Sequence, residues 1–157
     1  MMLAVDEPFM REALAEAGRG TLMGEMPFGA VVVDATARIL ARAHERTVSG
    51  HDPSLHAEIE AVRAACRVAG PDLTGCTLYT TTEPCAMCFT AAWLARMSRI
   101  VYGCRIEEMK ALCEDQRELS LTVETMNAAS GEPMELVGGV LASECLAQFR
   151  TPYGAAA

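Results

Sequence analysis

The chain has 157 residues, of which 51% are hydrophobic, so it can bury one sizeable core and is expected to form a single domain over residues 1–157. Its formal net charge is −8 and its basic residues are scattered, which argues against a nucleic-acid partner. No segment has the pattern of a secretion signal or the length of a membrane span. Seven cysteines in such a chain are more typical of metal ligands and buried thiols than of disulfides, so we expect a cytoplasmic protein with no membrane partner.

Stretches with the period of an amphipathic helix alternate along the chain with short β-branched runs typical of buried strands. They predict, in chain order, a helix from Asp6 to about Gly18, strands from Phe28 to Val33 and from Ile39 to Ala43, a helix from His56 to about Ala69, a strand from Thr77 to Thr81, a helix from Cys85 to about Ala95, strands from Arg99 to Tyr102 and from Met134 to Val137, and a helix from Ser143 to Arg150. The stretch from Glu107 to Ser130 starts as a helical pattern and then becomes ambiguous. This alternation indicates an α/β fold with a sheet covered on both sides.

Residue types that bind metals stand at the predicted starts of two helices. Cys85 and Cys88 are three residues apart, so they lie on the same side of a first helical turn, where the helix dipole lowers the pKa of a thiol. Pro84 suits the first helical position, where its missing N–H costs nothing. His56 and Glu58 are two residues apart and converge only where a helix begins. We therefore expect the two pairs to meet where two helix N-termini approach each other.

This set of residues favours metal-assisted hydrolysis. His56, Cys85 and Cys88 offer the nitrogen and sulfur donors that zinc prefers, which leaves a fourth position for water. Zinc lowers the pKa of its water to about 7, and Glu58 could take the proton and pass it on. Two alternatives stay open, because a Cys-x-x-Cys pair also occurs in thiol–disulfide couples and in structural zinc sites. A closed structural site needs a fourth ligand, for which the chain has only two further histidines, His44 and His51.

The sequence resembles the cytidine-deaminase-like zinc deaminase superfamily, nearest to the guanine and cytosine deaminases and the tRNA adenosine deaminases. The segments that carry the resemblance are Pro27-Phe28-Gly29-Ala30, His51-Asp52-Pro53-Ser54, His56-Ala57-Glu58, Thr81-Thr82-Glu83-Pro84-Cys85-Ala86-Met87-Cys88 and Arg99-Ile100-Val101-Tyr102-Gly103. It covers about residues 27 to 103. The resemblance implies a three-layer α/β/α sandwich with a mixed five-stranded sheet, usually as a homodimer or a larger homo-oligomer.

The resemblance also implies roles for individual residues. His56, Cys85 and Cys88 would hold Zn²⁺, and Glu58 would shuttle protons. The backbone N–H groups of Ala57 and Cys85 would orient the substrate ring or the developing oxygen. The implied reaction is hydrolytic attack on the amine-bearing carbon of a heterocycle, with loss of ammonia.

One departure from the family concerns substrate choice. At the end of the second strand the relatives usually have an asparagine that touches the base, whereas this chain has Glu45. An asparagine both donates and accepts hydrogen bonds, but an ionised glutamate only accepts them. Glu45 is therefore predicted to bind substrate, with an exposed charge at a strand end as the alternative.

Other substrate contacts are predicted with less support from the pattern. Phe28 could stack on a ring, as could Trp93, for which a core or interface position is the alternative. A guanine-deaminase-like protein would place an acidic residue in the region from Cys104 to Ser120, and Asp115 or Glu114 could supply it. Tyr153 could close the pocket or lie in a frayed tail.

The sequence as a whole predicts zinc-dependent hydrolytic deamination of a small-molecule partner, a free nucleobase or a related amino-heterocycle of the guanine, cytosine, pterin or triazine type. The alternative is adenosine-to-inosine deamination in tRNA. A further alternative, from a different class, is a non-catalytic module stabilised by zinc.

Overall fold

Five strands form one sheet in the computed structural model, which describes residues 1–150. The strands are β1 (Gly29–Val33), β2 (Ile39–His44), β3 (Thr77–Thr82), β4 (Arg99–Cys104) and β5 (Glu135–Val137). They lie in the order β2-β1-β3-β4-β5. Strand β1 is antiparallel to both of its neighbours, whereas β4 is parallel to β3 and to β5. The predicted mixed five-stranded sheet is therefore confirmed.

Helices cover both faces of this sheet. The helices of residues 1–150 are α1 (Asp6–Leu22), α2 (Ala57–Ala69), α3 (Ala86–Leu94), α4 (Ile106–Lys110), α5 (Val123–Ala129) and α6 (Ala142–Arg150). None of these helices is long and apolar enough to cross a bilayer. Helices α2, α3 and α5 share one apolar cluster with Ala30 and Val32, while α1, α4 and α6 share a second cluster with Val31 and Val33. Successive residues of a strand face opposite sides, so β1 contributes to both cores. The three-layer α/β/α sandwich is confirmed.

Tertiary packing extends α1 beyond its predicted end at about Gly18 to Leu22. The added turn packs against β2, where Gly20 leaves room for His44. A Cβ atom on Gly20 would lie 3.1 Å from the His44 side chain. Glycine lowers helix propensity, which is why the sequence favoured an earlier end, but this close contact stabilises the last turn.

The ambiguous stretch from Glu107 to Ser130 contains no continuous helix. Residues 111–122, between α4 and α5, form turns and extended chain. Strands β3 and β4 run on to Thr82 and Cys104, beyond their predicted ends, because their pairing continues to that register position. The chain therefore leaves both strands at the edge of the sheet where the predicted metal ligands lie.

A buried polar network fixes the start of α1. Asp6 is the first residue of α1 and not its N-cap as predicted, because its fully buried carboxylate turns inward. It accepts hydrogen bonds from Arg99 Nη1 at 2.6 Å and from Tyr79 Oη at 2.9 Å. Burial alone would raise the pKa of this carboxyl. The hydrogen bonds from Arg99, the Leu3 N–H and Tyr79 outweigh burial and lower the pKa below its ordinary value of 3.8.

Replacing Asp6 with asparagine should leave the Arg99 guanidinium buried without its main counter-ion and lower the free energy of unfolding by about 3–5 kcal/mol. Because the folded-state pKa is depressed, the wild-type stabilisation is present above pH 3.8 and is lost as the pH falls through the folded value. Urea denaturation from neutral to acidic pH measures both effects. The control is Glu135→Gln, since Glu135 lies 3.3 Å from the same guanidinium with half of its side chain exposed. Glu135→Gln should lower the free energy of unfolding by less than about 1 kcal/mol. An equal loss of stability in the two variants would contradict the role given to Asp6.

Candidate active site

Strand direction brings the predicted ligands to one edge of the sheet. Strands β2 and β3 are both antiparallel to β1 and therefore run the same way, and β4 is parallel to β3. Their carboxyl ends share one edge, which is where α/β proteins usually bind ligands. Helices α2 and α3 pack on the same face of the sheet, and each begins at this edge because it follows β2 or β3 in the chain.

The three predicted metal ligands meet where these helices begin. His56 is the N-cap of α2 and Cys85 is the N-cap of α3, each with an extended backbone. Both helices thus start one residue later than predicted, and Pro84 precedes the N-cap instead of occupying the first helical position. The Nδ1 atom of His56 lies 3.6 Å from Cys85 Sγ and 3.5 Å from Cys88 Sγ. All three donor atoms lie within 4.8 Å of one another.

This donor set fits zinc, which prefers imidazole and thiolate ligands. Hydrogen bonding with Cys88 and with His56 outweighs burial and lowers the pKa of Cys85 to about 4. The same contact with Cys85 raises the pKa of His56 to about 9. A bound divalent cation favours the thiolate and the neutral imidazole. Within residues 1–150 this is the only such cluster, and neither His44 nor His51 belongs to it.

Glu58 lies beside this cluster, at the second position of α2, and is buried. Its Oε1 accepts a hydrogen bond from Thr80 Oγ1 at 3.0 Å, and its Oε2 lies 3.5 Å from Cys88 Sγ. Burial raises the pKa of Glu58, while the nearby His56 opposes the shift. A buried carboxyl group with a raised pKa next to a metal-binding cluster is suited to general acid–base chemistry.

A narrow cavity opens beside the cluster, and carboxylate side chains dominate its polar lining. It is lined by Phe28, Glu45, His56, Glu58, Thr82, Glu83, Cys85, Gln116 and Glu118. Phe28 and Glu45 enter it together because the Glu45 N–H donates to the Phe28 carbonyl at 3.1 Å. Glu45 is buried, so the alternative of an exposed charge at a strand end is wrong. Ala57 is fully buried at the first position of α2, where its N–H belongs to the helix's first four amides, which have no intrahelical partner.

An acidic residue that follows β4 in the chain lines the cavity, but it is Glu118 and not the predicted Asp115. Asp115 is exposed in a turn and does not line the cavity, whereas Glu118 does. The reason is local: the chain turns at residues 114–115, and only residues after this turn, Gln116 and Glu118, line the cavity. No periodicity in the sequence marks Glu118 or its neighbour Gln116.

Trp93, the second aromatic candidate, does not line the cavity. Trp93 donates its indole N–H to the Glu132 carbonyl at 3.2 Å and lines a separate surface depression. Tyr153 lies outside the described residues. Among residues 1–150, Phe28 is the aromatic residue that lines the cavity, and its ring packs edge-on against Phe149 with 5.2 Å between the ring centroids.

The family comparison agrees with this geometry. Residues 3–104 match the family described as the cytidine and deoxycytidylate deaminase zinc-binding region. Over 141 residues, covering 89% of this chain and 83% of the relative, the chain is 38% identical to a tRNA-specific adenosine deaminase of Bacillus subtilis strain 168. This chain belongs to the cytidine and deoxycytidylate deaminase family.

Solved structures of two differently named deaminases have the same fold. A structure of tRNA:A34 deaminases, which edit A to I at the wobble position of transfer RNA, superposes with a TM-score of 0.76 and 32% identity, covering 90% of this chain and 98% of that one. A guanine deaminase from Nitrosomonas europaea superposes with a TM-score of 0.80 and 25% identity, covering 96% and 85%. The chain is thus a deaminase-family protein with a zinc-binding residue set, and its relatives include proteins named for tRNA and for a free base.

Proposed function

We propose that this protein catalyses zinc-dependent hydrolytic deamination of a free nucleobase or related amino-heterocycle whose ring edge carries N–H donors. The observation that carries the proposal is the pair of carboxyl groups, Glu45 and Glu118, that lines the cavity in addition to Glu58 and to Glu83, whose oxygens bond to backbone N–H groups. A carboxylate accepts hydrogen bonds and donates none, so two of them favour a ring edge rich in N–H groups. Guanine, isocytosine, pterins and aminotriazines offer such an edge.

The charge of the cavity supports a small neutral substrate. Burial raises the pKa values of Glu45 and Glu118 to about 7 each, while the charge of His56 opposes the shift and that of Glu58 adds to it. Both groups therefore carry partial negative charge at neutral pH. Four glutamates line the cavity, and their negative charge repels a phosphate group brought close to it, which disfavours a nucleotide or an RNA backbone at this position.

The chain's own residues supply the remaining functions. A zinc ion held by His56, Cys85 and Cys88 would supply an easily deprotonated water molecule. Glu58 would accept that proton at its carboxylate and return it to the ring or to the departing amine. The hydrogen bond from Thr80 fixes the orientation of Glu58 for this task. Phe28 would cover one face of the ring and exclude water.

Deamination of adenosine in tRNA is the second candidate. It is favoured by the 38% identity with the Bacillus subtilis tRNA-specific enzyme over most of both chains, which weakens the expectation that nucleic acid is not a partner. Glu45 counts against it, because adenine presents ring nitrogens that only accept hydrogen bonds. The homo-oligomer implied by the resemblance stays a prediction.

Glu58→Gln should keep the fold and the zinc while lowering kcat by about 10²–10⁴-fold, because an amide cannot accept the proton of the water. Steady-state ammonia release and metal analysis of the purified variant measure the two properties. Glu60→Gln is the matched control, since Glu60 is two residues further along α2 and contacts Arg46 and Arg63 outside the cavity. Turnover retained in Glu58→Gln would mean that another group carries the proton.

The proposed substrate class is tested by ammonia release from a panel of free bases, nucleosides and tRNA. The wild-type protein should act on donor-edge heterocycles. Glu45→Asn should lose at least about tenfold more kcat/KM on these than on acceptor-edge substrates such as cytosine, because a mispaired buried polar group costs about 1–3 kcal/mol. The preference of the wild-type protein for donor-edge over acceptor-edge substrates should strengthen as the pH rises through about 7, because Glu45 ionises. Zinc content should stay unchanged.

Two results would overturn the substrate proposal. Inosine formed at a defined position of tRNA, without ammonia release from any free base, would establish the second candidate. An equal effect of Glu45→Asn on every substrate would show that Glu45 does not select the ring edge.

A further inference from the structure

Glu83 is a buried carboxylate whose two oxygens are held by different parts of the chain. It follows β3 and is 4% exposed. Its Oε2 accepts a hydrogen bond from the Ile106 N–H at 3.0 Å, and its Oε1 accepts one from the Val123 N–H at 2.9 Å. Ile106 is the first residue of α4 and Val123 is the first residue of α5. One side chain therefore satisfies an N-terminal amide of each helix.

These two helices flank the irregular segment that completes the cavity. Residues 111–122 connect α4 to α5 and bring Gln116 and Glu118 to the cavity wall. The next residues of the same segment, Leu119 to Thr122, line a separate open groove. Glu83 lines both the groove and the cavity, and Gln116 and Glu118 form one wall of the cavity. A wall of this kind depends on the anchoring of its ends.

We propose that Glu83 is a positioning residue for substrate binding, which fixes the first residues of the two helices that flank segment 111–122 and thereby holds Glu118 at the cavity. The inference rests on the proposed role of Glu118 in the proposed function. Glu83 acts through hydrogen bonds to the backbone. Removal of the Glu83 carboxylate should therefore change the position of Gln116 and Glu118 more than it changes the position of the zinc ligands or of Glu58.

The chain contains a matched control for this role. Glu25 is also fully buried and accepts two backbone hydrogen bonds, from the N–H of Val48 at 3.0 Å and of Ser49 at 2.7 Å. These residues belong to the loop that follows Glu45 in the chain. Replacing Glu25 therefore breaks an equivalent pair of bonds without touching segment 111–122.

The first test is amide hydrogen exchange, which requires no substrate. Glu83→Gln keeps one acceptor and turns an N–H donor towards the other backbone amide. Exchange should accelerate by about tenfold or more at Ile106, Val123 and residues 111–122. In Glu25→Gln the faster exchange should lie in the loop after Glu45 instead. Uniform acceleration across the chain in Glu83→Gln would assign a merely structural role and overturn the proposal.

The second test is a double-mutant cycle on kcat/KM, with whichever panel substrate releases ammonia most readily. Glu83→Gln should raise KM by about fivefold or more with a smaller change in kcat, because ground-state and transition-state binding weaken together. In a Glu118→Gln background the same change should have little further effect, whereas Glu25→Gln should act additively with Glu118→Gln. Independent, additive effects of Glu83 and Glu118 would overturn the proposal.

A second variant covers the case in which Glu83→Gln folds poorly. Val123→Pro removes one donor to Glu83 at the first position of α5, where proline is tolerated, and Thr122 already has the extended backbone that precedes proline. It should reproduce the rise in KM, while Val123→Ala, which keeps the N–H, should not. Both tests of Glu83 can be carried out whatever substrate the panel identifies. Failure of these tests can therefore be distinguished from failure of the proposed function.

Discussion

Three strands, β2, β3 and β4, run in the same direction, and the position of every polar residue in the cavity depends on this constraint. Glu45 follows β2, Glu83 follows β3, and the segment bearing Glu118 lies after β4 and α4. Because α2 and α3 begin at the same edge, their N-caps bring His56 and Cys85 together. Reversing any one of these strands would remove a ligand or a wall of the site.

The acidic residues of this edge fall into two groups with different physical states. Glu25 accepts backbone N–H bonds that outweigh its burial and lower its pKa. For Glu45 and Glu118 burial dominates, and the pKa of each rises to about 7. A carboxylate satisfied by the backbone holds the chain in place, whereas one with a raised pKa is available to a ligand or a proton. This difference explains how an acidic chain can concentrate carboxyl groups at one site.

The sequence was informative wherever local patterns determine structure. The β-branched run of β1 and the spacing of Cys85 and Cys88 depend on neighbours in the chain, and both predictions agree with the structure. The predicted starts of α2 and α3 are one residue early, because His56 and Cys85 adopt the extended backbone of an N-cap. That conformation is what lets the two side chains face each other.

Features set by long-range contacts could not be predicted in the same way. Aspartate is a residue type that favours helix N-caps, but the Asp6 carboxylate instead binds Arg99, which is far along the chain, and is buried. Glu118 lies in an aperiodic segment whose path is set by the helices that flank it, so the sequence does not distinguish Glu118 from the predicted Asp115. In both cases the deciding partner is distant in sequence and has no periodic signal.

The central claim is that two helix N-termini form a three-ligand zinc site with a position left for water. X-ray absorption at the zinc edge of the purified protein tests it most directly. The account predicts two sulfur neighbours at about 2.3 Å, one imidazole nitrogen at about 2.0–2.1 Å and one oxygen from solvent. Four protein ligands around the metal, or a native protein without zinc, would contradict it.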